Sequence, residues 1–208
     1  MLTILSTVRA IVAVLVLAAI GQQFLLHIKA SYSALNFFSY FTNLSNLFAA
    51  FVLLAIVIVR RSRTTPAGDG ARFTAAVNMA VVGIVFSVLL RDVDLGDLLP
   101  WVNFVLHYLM PVVVVLDWLV QPPGSRLKSG HLFLASIFPA TYLVYVLLRG
   151  ASTGWYPYPF LNPTNVGGYS GVALYAAGIL LVFLVTGCAL LAVGNLRQRP
   201  ESGVRENG

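Results

Sequence analysis

FFSYFTNLSNLFAAFVLLAIVIV, residues 37–59, carries no charge and ends in an unbroken aliphatic run. It is long enough to cross the roughly 30 Å of bilayer hydrocarbon, which takes about 20 helical residues. The same criterion finds five more apolar runs. The six stand at about residues 8–26, 37–59, 73–90, 101–120, 132–148 and 171–193. The third and fifth are short and are expected to draw in flanking residues. The composition agrees. Hydrophobic residues make up 59% and charged residues 10% of the chain, with mean hydropathy +0.87, whereas a soluble domain is about one quarter charged. The connections leave no room for a separate soluble domain. The expected fold is an all-α integral membrane protein, a single six-transmembrane-helix bundle over residues 1–196. A polar tail, RQRPESGVRENG at 197–208, is expected to be disordered.

The basic residues give an orientation. Arg9, Arg60, Arg61, Arg63, Arg72, Arg126, Lys128, Arg197, Arg199 and Arg205 fall on one side of such a bundle, and Lys29, Arg91 and Arg149 on the other. Basic loops stay cytoplasmic, so both termini are expected inside. The net charge of +6 then reports topology and contact with anionic lipid heads, and no nucleic-acid partner is expected. The first segment has a thin charged leader, a long apolar core and no small-residue cleavage site, and reads as a retained helix rather than a signal peptide. Cys188, the single cysteine, is expected to be a buried packing residue of the sixth segment.

TTPAGDG (64–70) and QPPGSRLKSG (121–130) read as cytoplasmic turns. The outer loop GWYPYPFLNPTNVGG (154–168) is long, aromatic, proline-rich and uncharged. Its aromatics suit the membrane interface, and a second reading makes it a lid over a site. Tyr142 and Tyr145, toward the outer end of the fifth helix, are assigned to the same aromatic belt.

The opening stretch holds polar side chains where hydrocarbon is expected. Ser39, Thr42 and Asn46 recur at i, i+3 and i+7, one face of a helix, with Asn43 beside them. A second group lies in PWVNFVLHYLMP (100–111), where Asn103 and His107 stand at i, i+4. Both helices enter from the outer side. At 1.5 Å per residue, Thr42 and His107 fall roughly 7 and 10 Å deep. If the two helices are neighbours, a hydroxyl meets an imidazole, the minimum for nucleophilic catalysis. Asn43, Asn46, Asn103 and Ser39 are then candidates to orient the imidazole or the substrate, or to donate to an oxyanion. The plainer alternatives are a threonine bonded to its own i−4 carbonyl and Ser and Asn acting as interhelix glue. Asp117, near the inner end of the fourth helix, is expected to snorkel to the interface, and His27 and His131 to be solvated.

Other chemistries fit less well. GYSG (168–171) has the Gly-x-Ser-Gly form of rhomboid proteases, but no histidine follows Ser170. His27 and His107 are a poor haem pair. RDVDLGD (91–97) lacks the EF-hand spacing and reads as a solvated loop. No Walker loop or zinc motif is present. No metal and no cofactor is expected.

The FxTNLSN stretch, followed by Asn103, His107, Pro111 and Asp117, resembles the androgen-induced gene family of six-helix membrane proteins. YPYPFLNP (156–163) is similar to the corresponding loop of its bacterial relatives, as is the sequence around Thr42. The resemblance implies a threonine hydrolase that cleaves fatty acid esters of hydroxy fatty acids, with Thr42 as nucleophile and His107 as the catalytic histidine. It also implies an integral plasma membrane protein, of the bacterial inner membrane, with a membrane lipid or fatty acid ester as its partner. Two functions of different class remain open. One is an intramembrane lipid-ester hydrolase, of which acyl transfer to another acceptor is a variant. The other is a non-catalytic lipid-binding or lipid-transport protein that holds a head group in the same polar pocket.

Overall fold

The computed structural model describes residues 2–59 and 66–197. The loop residues Arg60, Arg61 and Arg63, and the tail from residue 198, lie outside the described residues. The described residues are all-helical and contain six helical stretches long and apolar enough to cross a membrane: Thr3–Lys29, Phe41–Val59, Gly68–Leu90, Pro100–Val120, Ser129–Thr153 and Tyr169–Leu196. The helices are α1 (Leu2–Lys29), the short α2 (Ala34–Phe38), α3 (Phe41–Val59), α4 (Pro66–Val85), α5 (Pro100–Phe104), α6 (Met110–Val120), α7 (Ser129–Thr153) and α8 (Tyr169–Leu196). Both α4 and α5 start on a proline, whose missing N–H is no loss in a first turn.

α4 is the central helix, packed by α3, α6, α7 and α8, while α1 lies along α3. Val16, Phe73, Met79, Val102, Met110 and Trp118 fill the core between them. α7 and α8 turn most of their apolar side chains outward, Leu148, Leu174 and Leu181 among them. That is the surface expected against lipid, where burial inside protein is not required. Cys188 is on this outward surface of α8 and not in the core.

The helix expected over 37–59 is two helices. α2 ends at Phe38, Ser39 caps it, and α3 begins at Phe41. Hydropathy does not register the break because it falls within an uncharged, aromatic-rich run. Specific bonds hold it open: the Ser39 hydroxyl donates to the Leu35 carbonyl (2.7 Å) and meets the Tyr145 hydroxyl (2.8 Å), and the Tyr142 hydroxyl donates to the Ser39 carbonyl (2.9 Å). Tyr142 is therefore buried at this joint instead of standing in an aromatic belt, and Tyr145 is half-exposed beside it.

Two π-helical turns follow α4 and α5, at Phe86–Leu90 and Val105–Leu109. Pro111 explains the second. A proline ring clashes with the carbonyl four residues earlier and offers it no N–H. That carbonyl belongs to His107, and widening the turn relieves both problems.

Asp117 does not snorkel. It is buried, with Arg9 Nε 2.6 Å from Oδ1 and Arg72 Nη2 3.2 Å from Oδ2. Arg9 Nη2 also donates to Gln121 Oε1 (2.7 Å), and Arg72 Nη2 to the Gln121 carbonyl (2.7 Å). Asp69 joins the cluster through Arg72 Nη1 (3.4 Å) and accepts from the Gly124 amide (2.7 Å). Two bases counted above as marks of orientation, Arg9 and Arg72, are thus internal partners of Asp117. The cluster ties α1, α4 and α6 together at the end of the bundle that carries the N-terminus.

Candidate active site

The break before α3 alters the position of Thr42. It is the second residue of a 19-residue helix, not a mid-helix residue. First-turn N–H groups lack intrahelical acceptors, and the helix end carries partial positive charge. Negative charge developing at Thr42 would be stabilised there. The Thr42 amide donates to the Tyr158 hydroxyl (3.2 Å), and Thr42 Oγ1 lies 3.4 Å from the same hydroxyl.

His107 is in the π-helical turn made by Pro111. Its Nδ1 is 2.7 Å from Asn103 Oδ1 and 3.2 Å from the Asn103 carbonyl. A carbonyl oxygen only accepts, so Nδ1 holds the proton and Nε2 keeps a free lone pair. The ring stacks on Phe86, with centroids 3.9 Å apart and planes 21° apart, so the first π-helical turn packs against the imidazole carried by the second.

Thr42 and His107 line one polar cavity of about 510 Å³, together with Asn43, Tyr40 and Tyr158. Asn46 sets the spacing of the two elements. Its Nδ2 donates to the Thr42 carbonyl (2.9 Å) and to the Leu106 carbonyl (3.1 Å), so one amide spans the nucleophile candidate and the residue before the histidine. Asn46 does not itself face the cavity. Asn43 does, with Nδ2 bonded to the Phe37 carbonyl (2.8 Å) across the helix break. Ser39 faces α7 instead, since the break takes it off the face it was expected to share with Thr42 and Asn46. Gln23 fastens the neighbouring loop to α1, donating to the Asp97 carbonyl (3.0 Å) and accepting from the Leu99 amide (3.1 Å).

The loop 154–168 folds inward over Thr42. Tyr158, Phe160 and Leu161 are buried, and the Tyr158 and Phe160 rings stack at 5.2 Å. Two short 3₁₀ turns, Pro159–Leu161 and Pro163–Asn165, bend it. Its ends are pinned by close approach. A Cβ at Gly150 would overlap the Tyr156 ring, and one at Gly171 the Val166 carbonyl. The loop is thus a cap over Thr42, and its Tyr158 is a candidate site residue that helical periodicity had no means of finding. Burial pushes the Tyr158 phenol above its usual value, only partly offset by its bond to Thr42. It therefore stays protonated and remains a donor.

A family model described as FAR-17a/AIG1-like protein matches residues 8–192. The chain belongs to the FAR-17a/AIG1-like family. Among curated proteins and solved structures, no match to the chain is found. The family match reaches into all six spans, the first and last only in part, and includes both Thr42 and His107. Thr42 Oγ1 and His107 make no direct hydrogen bond here; Tyr158 occupies the threonine hydroxyl. Tyr158→Phe removes that contact while keeping the ring stack. If the cavity hydrolyses esters, the substitution is expected to lower kcat about 10-fold, the worth of one buried hydrogen bond, with KM nearly unchanged. Steady-state kinetics on a long-chain ester checks this.

Proposed function

We propose that this FAR-17a/AIG1-like protein is an intramembrane lipid-ester hydrolase, acting on fatty acid esters of hydroxy fatty acids or related acyl lipids. The observation that carries the reading is one cavity holding a threonine at a helix N-terminus and a histidine whose Nε2 is left free to accept a proton. His107 Nε2 takes the Thr42 hydroxyl proton as Oγ1 bonds to the ester carbonyl carbon. The α3 first-turn amides and the Tyr158 hydroxyl receive the oxyanion. The C–O bond then breaks, and His107 gives its proton to the departing hydroxyl component. Water attacks the acyl-threonine by the reverse proton route, releasing the fatty acid and restoring Thr42. Ester and water become acid and alcohol, with no cofactor. Catalytic hydrogen bonds are often long before substrate binds, so the pair is expected to close when an acyl carbonyl displaces the Tyr158 contact.

The excess of basic residues at one end supports a bundle with both termini on the cytoplasmic side of the plasma membrane, and water reaching Thr42 from the outer face. One observation favours a second reading. The Thr42 hydroxyl is engaged by Tyr158 and not by His107, as suits a protein that binds lipid without acylation. Incubating purified protein with a long-chain ester in H₂¹⁸O separates the two. A hydrolase incorporates one ¹⁸O into the released acid, an acyl transferase forms a new ester, and a binder returns the ester intact.

A further inference from the structure

Thr42 stands between two cavities, one lined by polar as well as apolar groups and the other almost wholly apolar. Beyond it from the polar cavity lies a second chamber of about 380 Å³ between α3, α4, α7 and α8. Among the described residues, only Thr42, Leu90 and Tyr158 border both. The Tyr158–Thr42 contact is therefore the partition between them.

The walls of the second chamber leave a ligand nothing polar to bind away from that partition. Among the described residues, no charged side chain lines it. The Tyr142 hydroxyl is spent on the Ser39 carbonyl, and the Ser136 hydroxyl on the Phe133 carbonyl (2.7 Å). Small residues, Ala140, Ala176 and Ala177, make the room, and Phe183 stands among the lining residues farthest along α8 from the loop. From α4 into the π-helical turn after it the lining runs from Val81 to Leu90, about 13 Å at helical rise. An elongated apolar chamber that begins at the Thr42 hydroxyl suits a hydrocarbon tail, and its volume lies in the range of small-ligand pockets.

We propose that this chamber is the acyl-chain compartment of the site. It seats the fatty acyl tail with the ester carbonyl at Thr42, while the polar cavity receives the departing hydroxyl component. The inference rests on the hydrolase reading for its orientation. It makes the chamber, and Ala176 and Leu180 in its wall, the determinant of acyl length.

The test has two independent arms on full-length protein in nanodiscs. In the first, p-nitrophenyl esters from acetate to palmitate are hydrolysed by wild type, Ala176→Trp and Leu180→Ala. Wild-type kcat/KM is expected to rise with chain length. Ala176→Trp should lower the palmitate value about 10-fold or more and leave acetate within about twofold, a difference in the range a blocked apolar pocket gives. Leu180→Ala, which widens the chamber at a half-exposed position of its wall, should move the optimum to longer chains. In the second arm, palmitate with a terminal diazirine is photo-crosslinked to wild type and to Thr42→Ala, and the adducts are mapped by mass spectrometry. Adducts on the Ala140 and Ala176–Leu180 segments are expected in both proteins, and fewer in Ala176→Trp. An unchanged length profile in both chamber variants, or adducts only on residues of α7 and α8 outside the chamber lining, such as Leu148 and Leu181, overturns the proposal. If wild type cleaves no ester but the chamber is labelled, the hydrolase reading fails and the hydrocarbon compartment stands.

Discussion

Thr42→Ala protein is expected to hydrolyse long-chain esters no faster than the uncatalysed background. The variant loses only a hydroxyl and a methyl group. The bond from the residue 42 amide to Tyr158 remains, as does the Asn46 clamp, because both use main-chain atoms of residue 42. Its melting temperature should therefore stay close to that of wild type, and lost activity is not lost fold. Thr42→Ser keeps the hydroxyl and is expected to retain activity within about 10-fold. His107→Asn should lower kcat by about 10²–10⁴-fold, the usual worth of a general base. Hydrolysis assays run beside thermal melts in the same detergent check all three. Equal activity of Thr42→Ala and wild type would remove Thr42 from the chemistry.

The largest stability effect is expected at the other end of the bundle. Asp117 is the carboxylate between Arg9 and Arg72, and all three are buried. Asp117→Asn leaves two arginines facing each other without their shared counter-charge. Removing one partner from a buried ion cluster costs about 3–5 kcal/mol, which corresponds to a fall in melting temperature of about 10 °C for a chain of this size. Residue 117 lies ten positions along from His107, about 15 Å at helical rise. Turnover at a temperature where the variant is folded should therefore match wild type. Thermal unfolding followed by circular dichroism, with the assay at low temperature, separates the two effects.

How much was legible from sequence depended on the range of the interaction. Spans follow from the length of apolar runs, because the bilayer sets that length. The Asn103–His107 pair follows from helical spacing, and the structure joins the two by a 2.7 Å bond. Pro111 was visible, and its effect on the turn before it is a local steric matter. The break at Ser39–Tyr40 was hidden, because it depends on tyrosines of α7 more than a hundred residues away. The fate of Asp117 was hidden for the same reason: its partners are on α1 and α4. Tyr158 was the hardest to assign. An aromatic, proline-rich loop has the same composition whether it floats at the interface or folds over a site, and only the packing of Tyr158 on Phe160 and against Thr42 decides between them.

The central claim is that Thr42 is an activated nucleophile with His107 as its base. The most direct measurement is fluorophosphonate labelling of the purified wild-type protein, followed by peptide mass spectrometry to locate the adduct. The account predicts one adduct, on Thr42, absent in Thr42→Ala and strongly diminished in His107→Asn. A folded wild-type protein that takes up no label, or an adduct on any other residue that persists in Thr42→Ala, would contradict it.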